Sequence, residues 1–408
     1  MRVTSLLRRL LGFPRQRVLS ARFEGEDLVV QVGVRGRSRC SRCGRKCPRY
    51  DRLKPRRWRD LDVLGHRAWL EGSLWRVSCA KCGVVVEEVS WADAGSRFTQ
   101  RFEELVAWLA QRCDKTTIQH EMRIAWRTVG VIIERVVARR RGPVDWTRLR
   151  AISVDELSYR KGHHYLTLVT DLERGRIIWS KEGRSAATLI AFLREIGYQG
   201  RSAIQHVAID MSAAYRTAIE RRLRHATIVF DRFHVQQLAS KAVDEVRRDM
   251  WRETRDSDRE AARGIKNTRW ALLKRPWNVT PGQDETLSSV ARSNVKLYRA
   301  YLLKETLAGI YDRLLLPGWA RRRLKEWLNW ASRSRLAPFV KLGRTVREHL
   351  EGILAYFETG YTTSRSEGLN TKARLATRQA YGFHSADAVR AMIDLRCSGL
   401  VIPLPYSS

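Results

Sequence analysis

Between residues 151 and 230 the chain leaves helical spacing for a strand rhythm that few folds can accommodate. Ala151–Tyr159, Tyr165–Leu172 and Arg176–Ser180 are rich in Ile, Val, Tyr and Thr and read as strands. A helix with Leu189, Phe192, Leu193 and Ile196 on one face follows, then a strand at His206–Met211, a helix at Ala213–Leu223 and a strand at Thr227–Phe230. The order β-β-β-α-β-α-β opens as a meander and ends in alternation, which asks for parallel strands and crossover helices. A mixed sheet of this order can place its first and fourth strands side by side.

The flanks divide by pattern. Residues 1–95 begin with a short amphipathic helix from Met1 to Pro14, with Leu6, Leu7, Leu10 and Leu11 at helical spacing. A strand-turn-strand follows at Arg17–Phe23, Gly25-Glu26-Asp27 and Leu28–Val34. Residues 96–142 are helical, with apolar stripes at Phe98, Phe102, Leu105, Val106 and Leu109 and at Val129, Ile132, Ile133 and Val136. The run Arg139-Arg140-Arg141-Gly142-Pro143 reads as a linker. Residues 143–235 hold the first part of the sheet domain and 236–360 a basic helical insertion with six of the fourteen tryptophans, most of them expected in its core. Residues 361–408 return to the sheet domain with a helix from Ser364 to Ala380.

Charge narrows the function. The 408 residues carry a formal net charge of +34, and residues 1–59 hold 18 Lys+Arg against 4 Asp+Glu. Such an excess calls for a polyanion, and nucleic acid is the commonest. The 44% hydrophobic content argues for a folded chain, and no apolar run is long enough to cross a membrane. With no cleavable leader pattern, a cytoplasmic protein is expected.

Seven cysteines fit that compartment, because four lie in pairs: Cys40-Ser41-Arg42-Cys43 and Cys79-Ala80-Lys81-Cys82. Each short turn points two sulfurs at one ion, which suits a structural zinc with no position left for water. The 35 residues between the pairs require a small β-layer between the knuckles. Cys47 is a possible substitute ligand. Downstream, Asp114, Thr116 and Thr117 are capping residues ahead of what reads as a helix-turn-helix, with Arg123, Trp126, Arg127 and Thr128 toward DNA and Val129, Ile132 and Val136 inward. A plain helical linker domain has the same stripes.

Three acids sit where a ribonuclease-H-like core needs them. Asp155 lies inside the first strand, in Ile152-Ser153-Val154-Asp155-Glu156, on the face opposite Glu156. Asp210 ends the fourth strand and Glu367 starts the returning helix. Phosphodiester cleavage develops charge on the attacking and leaving oxygens, and two hard cations such as Mg²⁺ (Mn²⁺ can substitute), held by carboxylates, clamp both. Each acid also has a purely structural reading: Ser364-x-x-Glu367 as a capping box, Asp210 as a helix cap, Asp155 as the partner of an arginine. Asp231 and His234 are auxiliary candidates at the same sheet edge, although a packed, hydrogen-bonded histidine is the default reading there. Asn370, Thr371, Arg374 and Arg378 follow Glu367 at helical spacing, flanked by Lys372, as a basic face for a phosphate backbone.

The chain resembles the DDE transposases of the ISL3 insertion-sequence family over nearly its whole length. The resemblance rests on Leu-Leu-Arg-Arg-Leu-Leu-Gly near the start, the two cysteine pairs, Val154-Asp155-Glu156 with Arg160-Lys161-Gly162, Asp210-Met211-Ser212-x-x-Tyr215, Asp231-Arg232-Phe233-His234 and Ser366-Glu367-Gly368-Leu369-Asn370. It implies a catalytic triad of Asp155, Asp210 and Glu367, Mg²⁺ dependence, terminal inverted repeats as DNA partner and an all-helical insertion before the glutamate. A bacterial or archaeal, nucleoid-associated protein working as a homodimer or larger assembly follows by the same analogy. Lys274-Arg275-Pro276-Trp277 departs from the more usual Lys-Asn-Pro.

The expectation is thus a multidomain α/β protein: a zinc-binding β domain, a helix-turn-helix domain, and a ribonuclease-H-like (retroviral-integrase-like) core with a helical insertion. It hydrolyses DNA at a transposon end and transfers the freed 3′-OH into target DNA. Two rivals remain, a nuclease or resolvase that cuts without joining, and a non-catalytic zinc-containing DNA-binding regulator.

Overall fold

A computed structural model describes residues 3–160, 162–312, 316–362, 364–379, 383 and 385–404. Met1, Lys161, Thr363 and Ala380, and the Ser364 side chain that a capping box would need, lie outside the described residues. The chain forms two compact units, residues 1–142 with 378–408, and residues 143–377.

The first unit opens with α1 (Val3–Leu11) and the strands β1 (Gln16–Glu24), β2 (Asp27–Val34), β3 (Arg49–Arg52), β4 (Arg56–Val63), β5 (His66–Gly72), β6 (Trp75–Cys79) and β7 (Gly83–Val86). They make two sheets, β1-β2-β5-β4 and β3-β6-β7, which supply the β-layer required between the cysteine pairs. Trp58 and Trp91 meet edge to face, 5.5 Å between centroids, in a core with Val30, Val32 and Leu70. Helices α2 (Gln100–Ala110), α3 (Lys115–Met122) and α4 (Trp126–Arg140) follow. Thr99 caps α2, and Asp114 caps α3 through the N–H groups of Thr116 and Thr117. Val129, Ile132, Ile133 and Val136 are buried, as their spacing requires.

Two expectations change here. The run that ends α4 does meet the division between the units at 142/143, but its arginines are tied down: Arg139 pairs with Asp93 and Glu103, Arg140 with Glu104, and Arg141 with Asp394. The C-terminal residues do not all stay with the sheet domain either. The helix Ala386–Cys397 packs on α4. Arg396 donates to the carbonyls of Ala110 and Cys113 at the end of α2, and Gln111 to those of Leu395 and Leu400, satisfying helix-end carbonyls that would otherwise be orphaned.

Lys115 is buried in this unit, with its ammonium 4.2 Å from the ring centroid of Trp126. Burial lowers its pKa from 10.5. A cation whose folded pKa is depressed costs stability below that pKa, and the cost fades as pH rises toward the unfolded value. Lys115→Met is therefore expected to raise the melting midpoint at neutral pH and to remove the gain wild type shows toward pH 10.5; a lower neutral midpoint in thermal scans would refute this.

The second unit holds β8 (Ala151–Arg160), β9 (His164–Asp171), β10 (Arg176–Glu182), α5 (Ala186–Glu195), α6 (Gly197–Ala203), β11 (His206–Ile209), α7 (Ala213–Arg222) and β12 (Thr227–Phe230). Among the described residues the sheet order is β10-β9-β8-β11-β12. The pairs β10/β9 and β9/β8 are antiparallel, while β8/β11 and β11/β12 are parallel. First and fourth strands are hydrogen-bonded neighbours, as the element order allowed. Then come α8 (Arg232–Arg255), α9 (Arg259–Asn267), α10 (Arg269–Leu273), α11 (Pro281–Ser293), α12 (Val295–Asp312), α13 (Pro317–Arg333), α14 (Ala337–Glu348), α15 (Leu350–Thr359) and α16 (Ser364–Gln379), the last running across the division at 377/378.

The helical stretch is not a separate body. One apolar cluster runs from Leu149 and Ile152 through Leu303 and Trp327 to Leu354. Helix α15 belongs to the sheet: a Cβ on Gly352 would come within 2.4–2.6 Å of the Phe230 ring and 3.1 Å of the Ile228 carbonyl oxygen. Gly352→Ala is expected to destabilise this unit by about 1–3 kcal/mol through overpacking, read as a lower midpoint in thermal or urea unfolding; an unchanged midpoint would show that α15 can move away freely.

The tryptophans depart from expectation. Trp327 is buried and Trp330 packs on the core, but Trp270, Trp277 and Trp319 are exposed. Each exposed ring carries a neighbouring guanidinium, Arg269, Arg275 and Arg322 respectively, at 5.0, 4.5 and 5.7 Å from its centroid. Cation–π contact makes an exposed indole tolerable where its hydrophobicity alone suggests burial.

Candidate active site

β11 and β12 each stop just before an aspartate, and β8 carries a third in the same register, inside the strand. Val154 pairs with Ile209 and Ile209 with Phe230. Asp155, Asp210 and Asp231 are each the next residue, so they occupy corresponding positions on adjacent strands at the carboxyl-terminal edge, where open α/β sheets bind their ligands. Local contacts fix all three: Asp155 Oδ1 accepts from the Glu156 N–H at 2.6 Å, Asp210 Oδ1 from the Ser212 N–H at 3.0 Å, and Asp231 Oδ2 from the Phe233 N–H at 3.3 Å. Asp231 is buried and caps α8, and its other oxygen accepts from Thr362 at 3.3 Å.

Helix α16 is docked on β8 by side chains at Ser153 and Asp155. Ser366 and Ser153 are buried hydroxyls in mutual hydrogen bond, and Asn370 donates its amide to Asp155 Oδ2. Ala373 and Ala376 continue the buried face. Glu367, in the first turn, remains exposed. The expected basic face is therefore smaller: Asn370 serves the sheet, Thr371 bonds the Glu367 carbonyl, and Lys372, Arg374 and Arg378 are exposed.

The electrostatics are those of a crowded acidic edge. Burial pushes the Asp155 carboxyl above its ordinary value; the charge of Asp210 adds to that, while the Glu156 N–H, His234 and Arg374 pull back. Burial raises Glu367 too, reinforced by Asp231 and Asp155 and opposed by His234 and Arg232. Glu156, next to Asp155 in the strand, is raised chiefly by burial, engages the buried Tyr215 hydroxyl and feels the charge of Asp210. Like charges held together by the fold favour a cation among them. The donors are hard oxygens suited to Mg²⁺, and the buried amide oxygen of Asn370 has no partner. The set fits a divalent cation in donor type. Among the described residues, however, only the four cysteines bring three or more such ligand atoms within 4.8 Å of one another.

Those cysteines are Cys40, Cys43, Cys79 and Cys82. Gly44 (φ +70°) and Gly83 (φ +74°) follow the two pairs in left-handed backbone, which lets each knuckle turn back on itself. Cys43 Sγ and Cys79 Sγ are 3.6 Å apart, close to the edge of about 3.8 Å of a tetrahedron built on 2.3 Å zinc–sulfur bonds. The backbone N–H groups of Lys81 and Cys82 bring the Cys79 thiol down to about 6. The four thiols fit a zinc ion. Cys47 stands beside them, and its thiol donates to the Arg45 carbonyl at 3.3 Å.

Comparison with known families decides the identity. Residues 152–393 match a transposase family model, residues 87–137 match the helix-turn-helix domain of transposase family ISL3, and residues 36–82 match the zinc-finger of transposases IS204, IS1001, IS1096 and IS1165. The chain belongs to the ISL3 family of transposases. It is 37% identical to the transposase for insertion sequence element IS1557 of Mycobacterium tuberculosis, covering 99% of this chain and 98% of that one. It is 31% identical to the transposase for insertion sequence element IS1001 of Bordetella parapertussis, covering 85% and 86%. The four-cysteine cluster is thus the family's zinc finger, and α2, α3 and most of α4 fall in its DNA-binding helix-turn-helix domain.

Among the residues of that domain expected at DNA, this transposase commits Arg123 elsewhere. Its backbone is left-handed (φ +51°) at the end of α3, and its guanidinium pairs with Asp62 and the Gly65 carbonyl of the β4–β5 turn. Arg127 is exposed and Thr128 half-buried at the start of α4. Sequence reading missed the Ser153–Ser366 contact and the inward role of Asn370. The i, i+4 spacing of Ser366 and Asn370, and the shared strand face of Ser153 and Asp155, carried the signal.

Proposed function

We propose that this transposase cuts DNA at the ends of its insertion sequence and joins the freed 3′-OH to target DNA, with Asp155, Asp210 and Glu367 as ligands for two Mg²⁺ ions. The row formed by Asp155 and Asp210 on adjacent parallel strands, with Glu367 on the helix fastened to Asp155 and within its electrostatic reach, supports this reading. The strand order β10-β9-β8-β11-β12 supports a ribonuclease-H-like core around it. When bound, the ions supply positive charge to the attacking and leaving oxygens of an in-line displacement.

The protein's own groups do the positioning. The Glu156 N–H and the Asn370 amide each take one lone-pair direction of Asp155 and leave the remaining ones for a cation. The Ser212 N–H does the same for Asp210. Asp231 holds the start of α8, and His234 lends positive potential to both Asp155 and Glu367. Lys372, Arg374 and Arg378 take the phosphate backbone, while Arg127 and Thr128 at the start of α4 read the terminal inverted repeats. Because two ends are joined to one target, a homodimer or larger assembly does the work, at the DNA of a bacterial or archaeal cytoplasm.

The test uses the full chain, the DNA flanking its gene as ends, and Mg²⁺ or EDTA. Mg²⁺-dependent nicking at the ends and joining of pre-cleaved 3′-OH duplexes to plasmid DNA are expected. Nicking without joining would leave a nuclease or resolvase, and binding without nicking a DNA-binding regulator.

A further inference from the structure

The first turns of α8 present two sides. Asp231 and His234 act on the acidic row, whereas Phe233, Gln236, Gln237 and Ser240 fall within about 100° of one another on the other side, at 100° per residue. Phe233 is 52% exposed. These four residues line a groove of about 270 Å³ whose far wall is α12 and Arg275. The side chains of Gln236, Gln237 and Ser240 make no hydrogen bond with the described residues, so their donors and acceptors are uncommitted. The far wall is fixed. Lys304, buried, donates to the carbonyls of Leu272 and Lys274 at 2.7 and 3.0 Å. Arg275 pairs with Glu305 at 2.9 Å and lies 4.5 Å from the ring centroid of the exposed Trp277.

We propose that this groove receives one unstacked nucleobase of the DNA strand beside the cleavage point, its ring on Phe233 and its edge on Gln236 and Gln237. The inference rests on the reading of Asp155, Asp210 and Glu367 as the cutting site. Size selects the occupant: the groove is smaller than the roughly 300–1,000 Å³ that takes a drug-sized ligand, and far too small for a duplex. Chemistry agrees, since an exposed aromatic gives every base a stacking platform and glutamine amides pair with base edges. The net charge of +34 brings a polyanion to the surface. Position completes the case. The Phe233 ring lies 5.9 Å from the ring of its neighbour His234, and His234 acts on Asp155 and Glu367, so a base stacked there belongs to a nucleotide close to the reacting phosphate. The wall is preformed, and little ordering cost opposes capture.

The experiment places 2-aminopurine, which brightens when unstacked, at successive positions across the cleavage point of duplex ends bound by the full-length protein. One or two adjacent positions are expected to brighten with wild type. Phe233→Ala and, separately, Gln237→Ala should reduce that signal, and Phe233→Ala should slow nicking about tenfold or more, the equivalent of one lost base–aromatic stack. Both residues reach solvent, so neither variant opens the core. Removing the base at the bright position should restore nicking by Phe233→Ala toward wild type, which a merely structural loss would not do. Wild type that nicks with no bright position overturns the groove assignment and leaves the cutting site intact. Brightening that survives both substitutions overturns it as well. Brightening lost on Phe233→Ala, in a wild type that does not nick with Mg²⁺, upholds the groove and defeats the cutting reading.

Discussion

Asp155→Asn is expected to lower Mg²⁺-dependent nicking roughly a hundred- to a thousandfold, the scale of losing one preorganised charge-stabilising group, while DNA binding stays near wild type. The substitution keeps the shape of the side chain and removes its charge. Asp155 accepts from Glu156 with one oxygen and from Asn370 with the other, so asparagine must give up one of these bonds. Against that loss, it relieves a carboxylate already raised by burial and by Asp210. The melting midpoint without metal should therefore hold or rise. Nicking kinetics, a DNA-binding isotherm and a thermal scan on one preparation separate the contributions. Wild-type nicking rates in the variant would remove Asp155 from the chemistry.

Loss of zinc should have the largest effect on stability, and it should be confined. The sheet β3-β6-β7 rests on a very small apolar cluster whose buried members are Cys40, Val77 and Cys79. A core of that size cannot offset the backbone entropy of the strands around it, so the thiolate–zinc bonds must hold this layer. Residues 143–377 own a separate, far larger cluster. Cys79→Ser, or a strong chelator, is predicted to abolish zinc content and make the segment around residues 36–87 sensitive to protease, while the second unit still melts near its usual midpoint. Elemental analysis with limited proteolysis tests this. A chelated protein with unchanged digestion would show that the knuckles stand without metal.

What the sequence discloses follows the range of the interaction. Strand runs such as Val207-Ala208-Ile209 and caps such as Asp114 are local, and they are where spacing and composition put them. The repeated apolar-to-aspartate step at Val154-Asp155, Ile209-Asp210 and Phe230-Asp231 was visible residue by residue, but its alignment into one row depends on pairing between distant strands, which no local pattern encodes. The same holds for the C-terminal helix: the partners of Arg396 are carbonyls 283 and 286 residues away. Trp270 and Trp277 stand exposed against expectation because an indole's hydrophobicity is local while its burial is not; Arg269, next to Trp270, and Arg275, two residues before Trp277, are the signal the sequence holds. Asn370 was assigned to DNA because a helical wheel shows which residues share a side, not which side meets the sheet.

The apolar cluster that runs unbroken from Ile152 to Leu354, with Gly352 seated against Phe230, restricts how such enzymes can be recombined. Exchanging only the helical stretch between two relatives would split a shared interior and leave α15 facing a foreign strand. Hybrids cut at the boundaries 142/143 and 377/378 would move the whole packed body as one exchangeable cassette. Evolution of the insertion should accordingly have proceeded in step with the sheet it leans on, through paired changes across that interior, and not by wholesale replacement.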